Sequence, residues 1–245
     1  MALQSLNILL LEEKVSFFDL PINGRQGLHI TKVLKLEVGD AMDVGVQNGP
    51  KGRALLLEKP KDLLKFSVTW EENAKTDFYP VNLLVGLSRP QTCRKILEQA
   101  TSMGVAEIHF FGCEKSEQSY INSRLWTTDE WERKIIKGAE QAFSTYIPRC
   151  KIWESFNDCL SEQEIDSKCM ALDNYESKKI LSSIEYNKLN NLTLAVGPER
   201  GWSNSERNLL RQKGYELFFI GPRVLRQETA VVASLSLFVS NHWEI

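Results

Sequence analysis

Long hydrophobic runs are missing from this chain: no apolar stretch in its 245 residues approaches the roughly 20 needed to cross a bilayer. The opening MALQSLNILLLEEK has neither a basic n-region nor a small-residue cleavage site, so no signal peptide is expected and the location is expected to be cytoplasmic. Histidine is scarce and scattered, at His29, His109 and His242, which leaves no metal-ligand cluster. The cysteines, at 93, 113, 150, 159 and 169, are odd in number and include no CxxC pair. They fit reduced thiols better than a disulfide framework or a zinc site. No G-x-G-x-x-G follows a strand and no phosphate-binding GKS or GKT is present, so dinucleotides and nucleoside triphosphates fit poorly. A large excess of charge of either sign is also missing. A net charge of −2 argues mildly against a protein that wraps nucleic acid by charge alone, so any RNA contact must use local basic patches rather than the global field.

What is present describes a globular protein with 42% hydrophobic and 25% charged residues, long enough for two modest domains. Residues 1–72 read as a small β-rich unit. Strands are expected at Leu6–Leu11, Val15–Phe18, Ala41–Val46, Arg53–Leu57 and Phe66–Trp70, with helical spacing over Gln26–Lys35. Asn48-Gly49 is a hairpin turn signal. Glu71–Phe78, polar and charged, is the expected linker, so that 73–245 forms the second domain. There the pattern becomes strand–helix alternation. Val81–Leu87, Ile108–Phe111 and Lys168–Leu172 are strands, while Thr92–Met103 and Asp129–Phe143 are helices, the latter with Trp131, Ile135, Ala139 and Ala142 on one stripe. This is an α/β domain with a mostly parallel sheet.

The last quarter organises the rest. Leu192–Val196 and Glu216–Ile220 are apolar runs, each broken by Gly-Pro, at Gly197–Pro198 and Gly221–Pro222. They read as buried strands with their exit turns. Ser203 with Glu206 three positions on is a capping box opening a helix, and Gly214 stands where that helix needs a left-handed residue. Glu228–Ser240 is apolar almost all round and is expected to be an enclosed helix. Ligands of open α/β sheets sit beyond the carboxyl ends of strands, where the two Gly-Pro bends would lie. Arg223, Arg226, Glu228 and Thr229 cluster beside that helix, and charges there are costly without a task.

These segments carry a resemblance. GPERGWSNSE resembles the GPEGG(F/L)S..E motif, and IGPRVLRQETAVVASL resembles the LG.RILR.ETA...AL motif, of the RsmE family of SPOUT-class methyltransferases. HITKVLKLEVGDAMDV resembles that family's N-terminal PUA-like barrel motif, and EQATSMGVAEIHF its (Q/E)KATELGV..I.P segment. The resemblance implies S-adenosyl-L-methionine as methyl donor and N3 of a uridine in 16S ribosomal RNA of the small subunit as acceptor. It also implies a C-terminal trefoil knot, a rare exception to unknotted chains, which forms the donor pocket and a homodimer interface, and an N-terminal PUA-like β-barrel that binds RNA. On the family's pattern the donor pocket is lined by Val196, Gly197, Pro198, Glu199, Gly201, Ile220, Gly221, Val224, Leu225, Arg226 and Thr229. RNA contacts fall to His29, Lys32, Lys35, Arg200 and Arg223. Some family positions differ: Ser144 and Thr92 stand where an arginine and a lysine are usual, and Arg200 replaces the second glycine of GPEGG. Lys and Arg grip phosphate in ways other residues do not, so these departures bear on which RNA is bound.

Methyl transfer to N3 needs a ring nitrogen freed of its proton and held in line with the donor. N3 lies on the Watson–Crick edge, so the uridine must be unpaired or extruded. Arg226 is the candidate to stabilise the developing anion, and Glu199 to hold a proton or orient that arginine. Other readings stand beside these. Arg226 could simply bridge to Glu228 or Glu199, Glu199 could cap turn amides, and His29 could be a packing residue. The whole chain could also methylate another RNA, or bind RNA without catalysis.

Overall fold

A computed structural model describes residues 7–72, 78–162, 167–185 and 191–240. The linker expected over Glu71–Phe78 falls largely outside them, as do Leu6 and His242. The described chain divides into two compact units. The first comprises residues 7–72 with Ala139–Ile147, the second the remainder.

In the first unit, β1 (Leu9–Leu11), β2 (Phe17–Pro21), α1 (Arg25–Leu28), β3 (Ala41–Val46), β4 (Lys51–Glu58) and β5 (Leu63–Trp70) follow one another. The sheet order is β1-β3-β4-β5-β2, with β1 and β2 at its two edges, which gives a curled half-barrel. Period-two alternation explains its core. Gly52, Ala54 and Leu56 of β4 face inward, while Arg53, Leu55 and Leu57 face out. Leu9, Ile30, Met42, Val44, Ala54, Leu56, Leu64 and Phe66 close over one face. The Asn48-Gly49 turn joins β3 to β4, with Asn48 in the left-handed region at φ 56°. The helix expected over Gln26–Lys35 is instead one α-turn followed by a π-helical turn, His29–Leu34, ended by Lys35 at φ 51°.

The second unit contains β6 (Tyr79–Gly86), α2 (Pro90–Ser102), β7 (Val105–Phe111), α3 (Arg124–Thr127) and α4 (Glu130–Gln141), whose residues from Ala139 onward count with the first unit. After these come β8 (Arg149–Trp153), α5 (Phe156–Ser161), β9 (Lys168–Leu172), β10 (Lys179–Ile180), β11 (Leu192–Val196), α6 (Asn204–Gln212), β12 (Glu216–Phe219) and α7 (Gln227–Val239). Seven strands form one sheet in the order β10-β12-β9-β11-β6-β7-β8, and every pairing is parallel. Their carboxyl ends therefore share one edge. Central β11 is buried at all five positions, as a strand with neighbours on both edges and layers on both faces must be. Trp202, only 1% exposed, stacks with Phe111 and Phe156 in a core that includes Leu84, Ala171, Ala195 and Leu210.

Local signals are met in α6. Ser203 Oγ accepts from Glu206 N at 3.0 Å, Glu206 Oε2 accepts from Ser203 N at 2.7 Å, and Gly214 follows the helix at φ 80°. The full enclosure expected of α7 is one-sided within this chain. Val231, Ser234, Leu235, Phe238 and Val239 are buried, but Val232 and Ala233 are only half-buried and Thr229 is exposed.

Candidate active site

The carboxyl ends of β9, β11 and β12 and the start of α7 surround a cavity of about 600 Å³. Its aliphatic wall is Leu172, Val196, Ile220 and Leu225, and its backbone wall is Gly197, Pro198 and Gly201. Glu199, Arg223, Val224 and Arg226 complete the predicted set found there. Gly221 and Thr229 are not among the lining residues, and Arg200 lines a neighbouring cavity instead. His29, half-buried, and Lys32 and Lys35, exposed, lie together on the π-helical turn of the first unit.

Several anchors hold this edge of the sheet. Trp202 Nε1 donates to Leu172 O at 2.8 Å, and its ring lies beneath Gly197, where an added Cβ would come within 3.0 Å of it. At Gly86, the end of β6, a Cβ would sit 2.7 Å from Pro198 N, so only glycine lets β6 run this close to the first Gly-Pro bend. Gln227, 5% exposed, ties three elements. Its Nε2 donates at 2.7 Å both to Gly86 O and to Gly197 O, while its Oε1 has no partner.

A buried ion pair braces the opposite wall. Arg207 Nε donates to Asp173 Oδ2 at 2.6 Å, with side chains 6% and 1% exposed. Asp173 Oδ1 accepts from the amides of Tyr175 and Glu176, at 2.8 and 2.6 Å. That turn displays Tyr175, 76% exposed, on the cavity rim beside Gly201.

Electrostatics separate the charged groups. Glu199 accepts from Thr92 Oγ1 at 3.3 Å and lies 3.8 Å from Arg89 Nε. It does not orient Arg226. Glu228 pairs with Lys95 Nζ at 3.0 Å, and although burial raises its carboxyl, backbone amide and Lys95 outweigh this and leave it below the ordinary range. The Arg226 carbonyl accepts from Ala230 N at 2.8 Å. Its guanidinium makes no hydrogen bond or ion pair among the described residues, so neither bridge considered for it forms, and it acts on Glu228 only through its field. Nearby, burial pushes the Cys93 thiol up to about 12, which keeps it protonated and inert. Among the described residues no group of three His, Cys, Asp or Glu gathers to hold a metal ion, and no helix is long and apolar enough to cross a membrane.

Sequence reasoning missed Arg89, Lys95, Asp173, Tyr175 and Gln227. One of them left a signal: Gln227 stands on the same helical face as Val231, Ser234, Leu235 and Phe238, so its phase alone places it inside.

Residues 75–239 match a family model described as an RNA methyltransferase domain. The ribosomal RNA small subunit methyltransferase E of Treponema pallidum (strain Nichols) is 33% identical over 223 residues, covering 87% of this chain and 82% of that protein. The ribosomal RNA small subunit methyltransferase E 1 of Borreliella burgdorferi is 29% identical over 237 residues, covering 94% and 95%. A crystal structure of the ribosomal RNA small subunit methyltransferase E from Neisseria gonorrhoeae, bound to S-adenosyl methionine, shares the fold with a TM-score of 0.79. It is 19% identical and covers 96% of this chain and 97% of that one.

Proposed function

This chain belongs to the RNA methyltransferase family, in the group of ribosomal RNA small subunit methyltransferases E, and from that premise we propose that it transfers a methyl group from S-adenosylmethionine to N3 of a uridine in 16S ribosomal RNA. The observation that carries this reading is the 600 Å³ cavity at the carboxyl ends of the strands, because it joins an aliphatic, amide-rich wall to a charged mouth. An adenosyl group suits Leu172, Val196, Ile220, Leu225 and the backbone of Gly197 and Gly201. The charged amino-acid tail suits a mouth with Arg223 and Glu228.

When bound, the donor supplies an electrophilic methyl on a sulfonium: its C–S bond breaks with the electron pair going to sulfur, as the acceptor's lone pair forms the new N–C bond. The chain's own residues prepare the acceptor. Glu199, held by Thr92 and Arg89, takes the N3 proton. The Arg226 guanidinium, with no hydrogen bond or ion pair among the described residues, balances negative charge on the ring oxygens as the proton leaves.

Further features belong to the same reading. The curled half-barrel serves as the PUA-like module, with His29, Lys32 and Lys35 meeting RNA, and Arg200 and Arg223 contacting phosphate. The order β12-β9-β11 and the return of α7 to Gly86 support a trefoil knot at the C-terminal end. The half-buried Val232 and Ala233 of α7 support a homodimer through this unit.

The test is nucleotide mass mapping of small-subunit RNA from a strain lacking the gene. One uridine should lose its methyl group and regain it when purified protein and S-adenosylmethionine are added. An unchanged methylation map would remove the reading.

A further inference from the structure

Beside the donor cavity lies a second one of about 330 Å³, which shares Arg89, Pro198 and Glu199 with it. Lys115, Tyr120 and Arg200 form much of its remaining wall, with Glu117 as a further carboxylate. Arg200 is exposed and Tyr120 half-buried, and neither side chain has a polar partner among the described residues. Lys115 is instead fixed in place, its Nζ donating to Trp202 O at 2.6 Å. Three cations thus stand against two carboxylates around an aromatic ring, in a space at the small end of ligand pockets. Such a space, with cations and an aromatic ring in its wall, suits one compact, anionic, planar ligand. It also abuts the wall that carries Glu199, next to where the methyl group is delivered.

We propose that this second cavity receives the acceptor itself: a single extruded pyrimidine nucleotide, its phosphate on Arg89 and Arg200 and its ring against Tyr120. The proposal rests on the donor reading of the larger cavity. Stacking on an aromatic face supplies binding that every base can use, so Tyr120 would set affinity, while the position of N3 on the Watson–Crick edge requires that the base be extruded. Arg200, the residue that departs from the family's glycine, then becomes a phosphate contact peculiar to chains that carry it.

The experiment measures methyl transfer to small ribosomal subunits from a strain lacking the gene, with calorimetry of S-adenosylmethionine as a second readout. Tyr120→Ala and Arg200→Ala should each raise KM for the subunits by about tenfold, within the range stacking and phosphate contacts supply, and leave donor affinity at the wild-type value. Tyr120→Phe should retain the wild-type KM. Wild-type KM in both alanine variants overturns the proposal. If the wild-type protein methylates no subunit, the functional reading fails separately, and saturation-transfer NMR with uridine 5′-monophosphate decides the pocket. Contact in the wild type that is lost in Tyr120→Ala upholds it, and no contact in the wild type ends it.

Discussion

Replacing Gln227 by Met keeps the side-chain volume but removes the amide that joins three strands and helices at the cavity. Two hydrogen bonds of 2.7 Å disappear: the Gly197 carbonyl loses its buried donor, and the Gly86 carbonyl keeps only the long contact from Ser88 Oγ at 3.5 Å. Each loss costs on the order of 1–3 kcal/mol, because a buried acceptor left unmet bears its full desolvation penalty. The substitution also removes Oε1, which is buried without a partner, and this returns about 1 kcal/mol. The net destabilisation is about 1–5 kcal/mol, which for a chain of this size lowers Tm by roughly 2–20 °C. The Gly197 peptide lines the cavity, so freeing its carbonyl should also weaken S-adenosylmethionine binding by about tenfold, equivalent to ~1.4 kcal/mol. Thermal unfolding by circular dichroism and calorimetry with the donor read the two effects. As a control, Thr229→Ala on the same helix is exposed and should move stability by less than ~0.5 kcal/mol. If Gln227→Met melts within about 1 °C of wild type and binds the donor equally well, the clamp has been misjudged.

Arg226→Ala should lower kcat by roughly 10²–10³-fold, the scale of losing one positioned charge at a developing anion, while donor affinity stays nearly intact. Wild-type turnover would take Arg226 out of the chemistry. His109 gives a pH prediction. Burial holds its pKa below the ordinary value, against the opposing pull of Glu107, and its Nδ1 accepts from Trp153 Nε1 at 3.1 Å. The unfolded chain therefore binds a proton near pH ~6.5 that the folded chain refuses. Stability is complete above that pH and declines as the pH drops toward the lower folded pKa. The melting profile between pH 7 and 5 should flatten in His109→Gln, and an unaltered slope there would assign the titration to another group.

Much of the second unit could be read from the sequence because its strands carry strong local signals. Leu192–Val196 is five apolar or small residues ended by Gly-Pro, and Ser203 with Glu206 announces α6 in four letters. Strand β8 gave no such signal: RCKIW mixes charge with hydrophobicity because it lies at a sheet edge with one neighbour. The return of Ala139–Ile147 to the first unit was equally hidden. The apolar stripe read over Asp129–Phe143 continues from Ile135 to Ala139 and Ala142 across the change of unit, so periodicity gives no hint of it. The π-helical turn at His29–Leu34 escaped because helical spacing does not distinguish one turn type from another. At the site, motif residues such as Glu199 and Arg226 could be named, but their partners could not. Glu199 is held by Thr92, 107 positions away, and a pairing of that range leaves no local pattern.

The bond from Gln227 to Gly86 spans 141 positions. Closing a loop that long costs about 4 kcal/mol or more in chain entropy before any contact compensates it. Adjacent elements such as β6, α2 and β7 close far shorter loops and can assemble early, so the donor pocket is expected to form late in folding. A nascent chain would therefore remain unable to capture its methyl donor until its far end had been synthesised and docked. Acquisition of ligand binding then serves as a clock for the completion of folding.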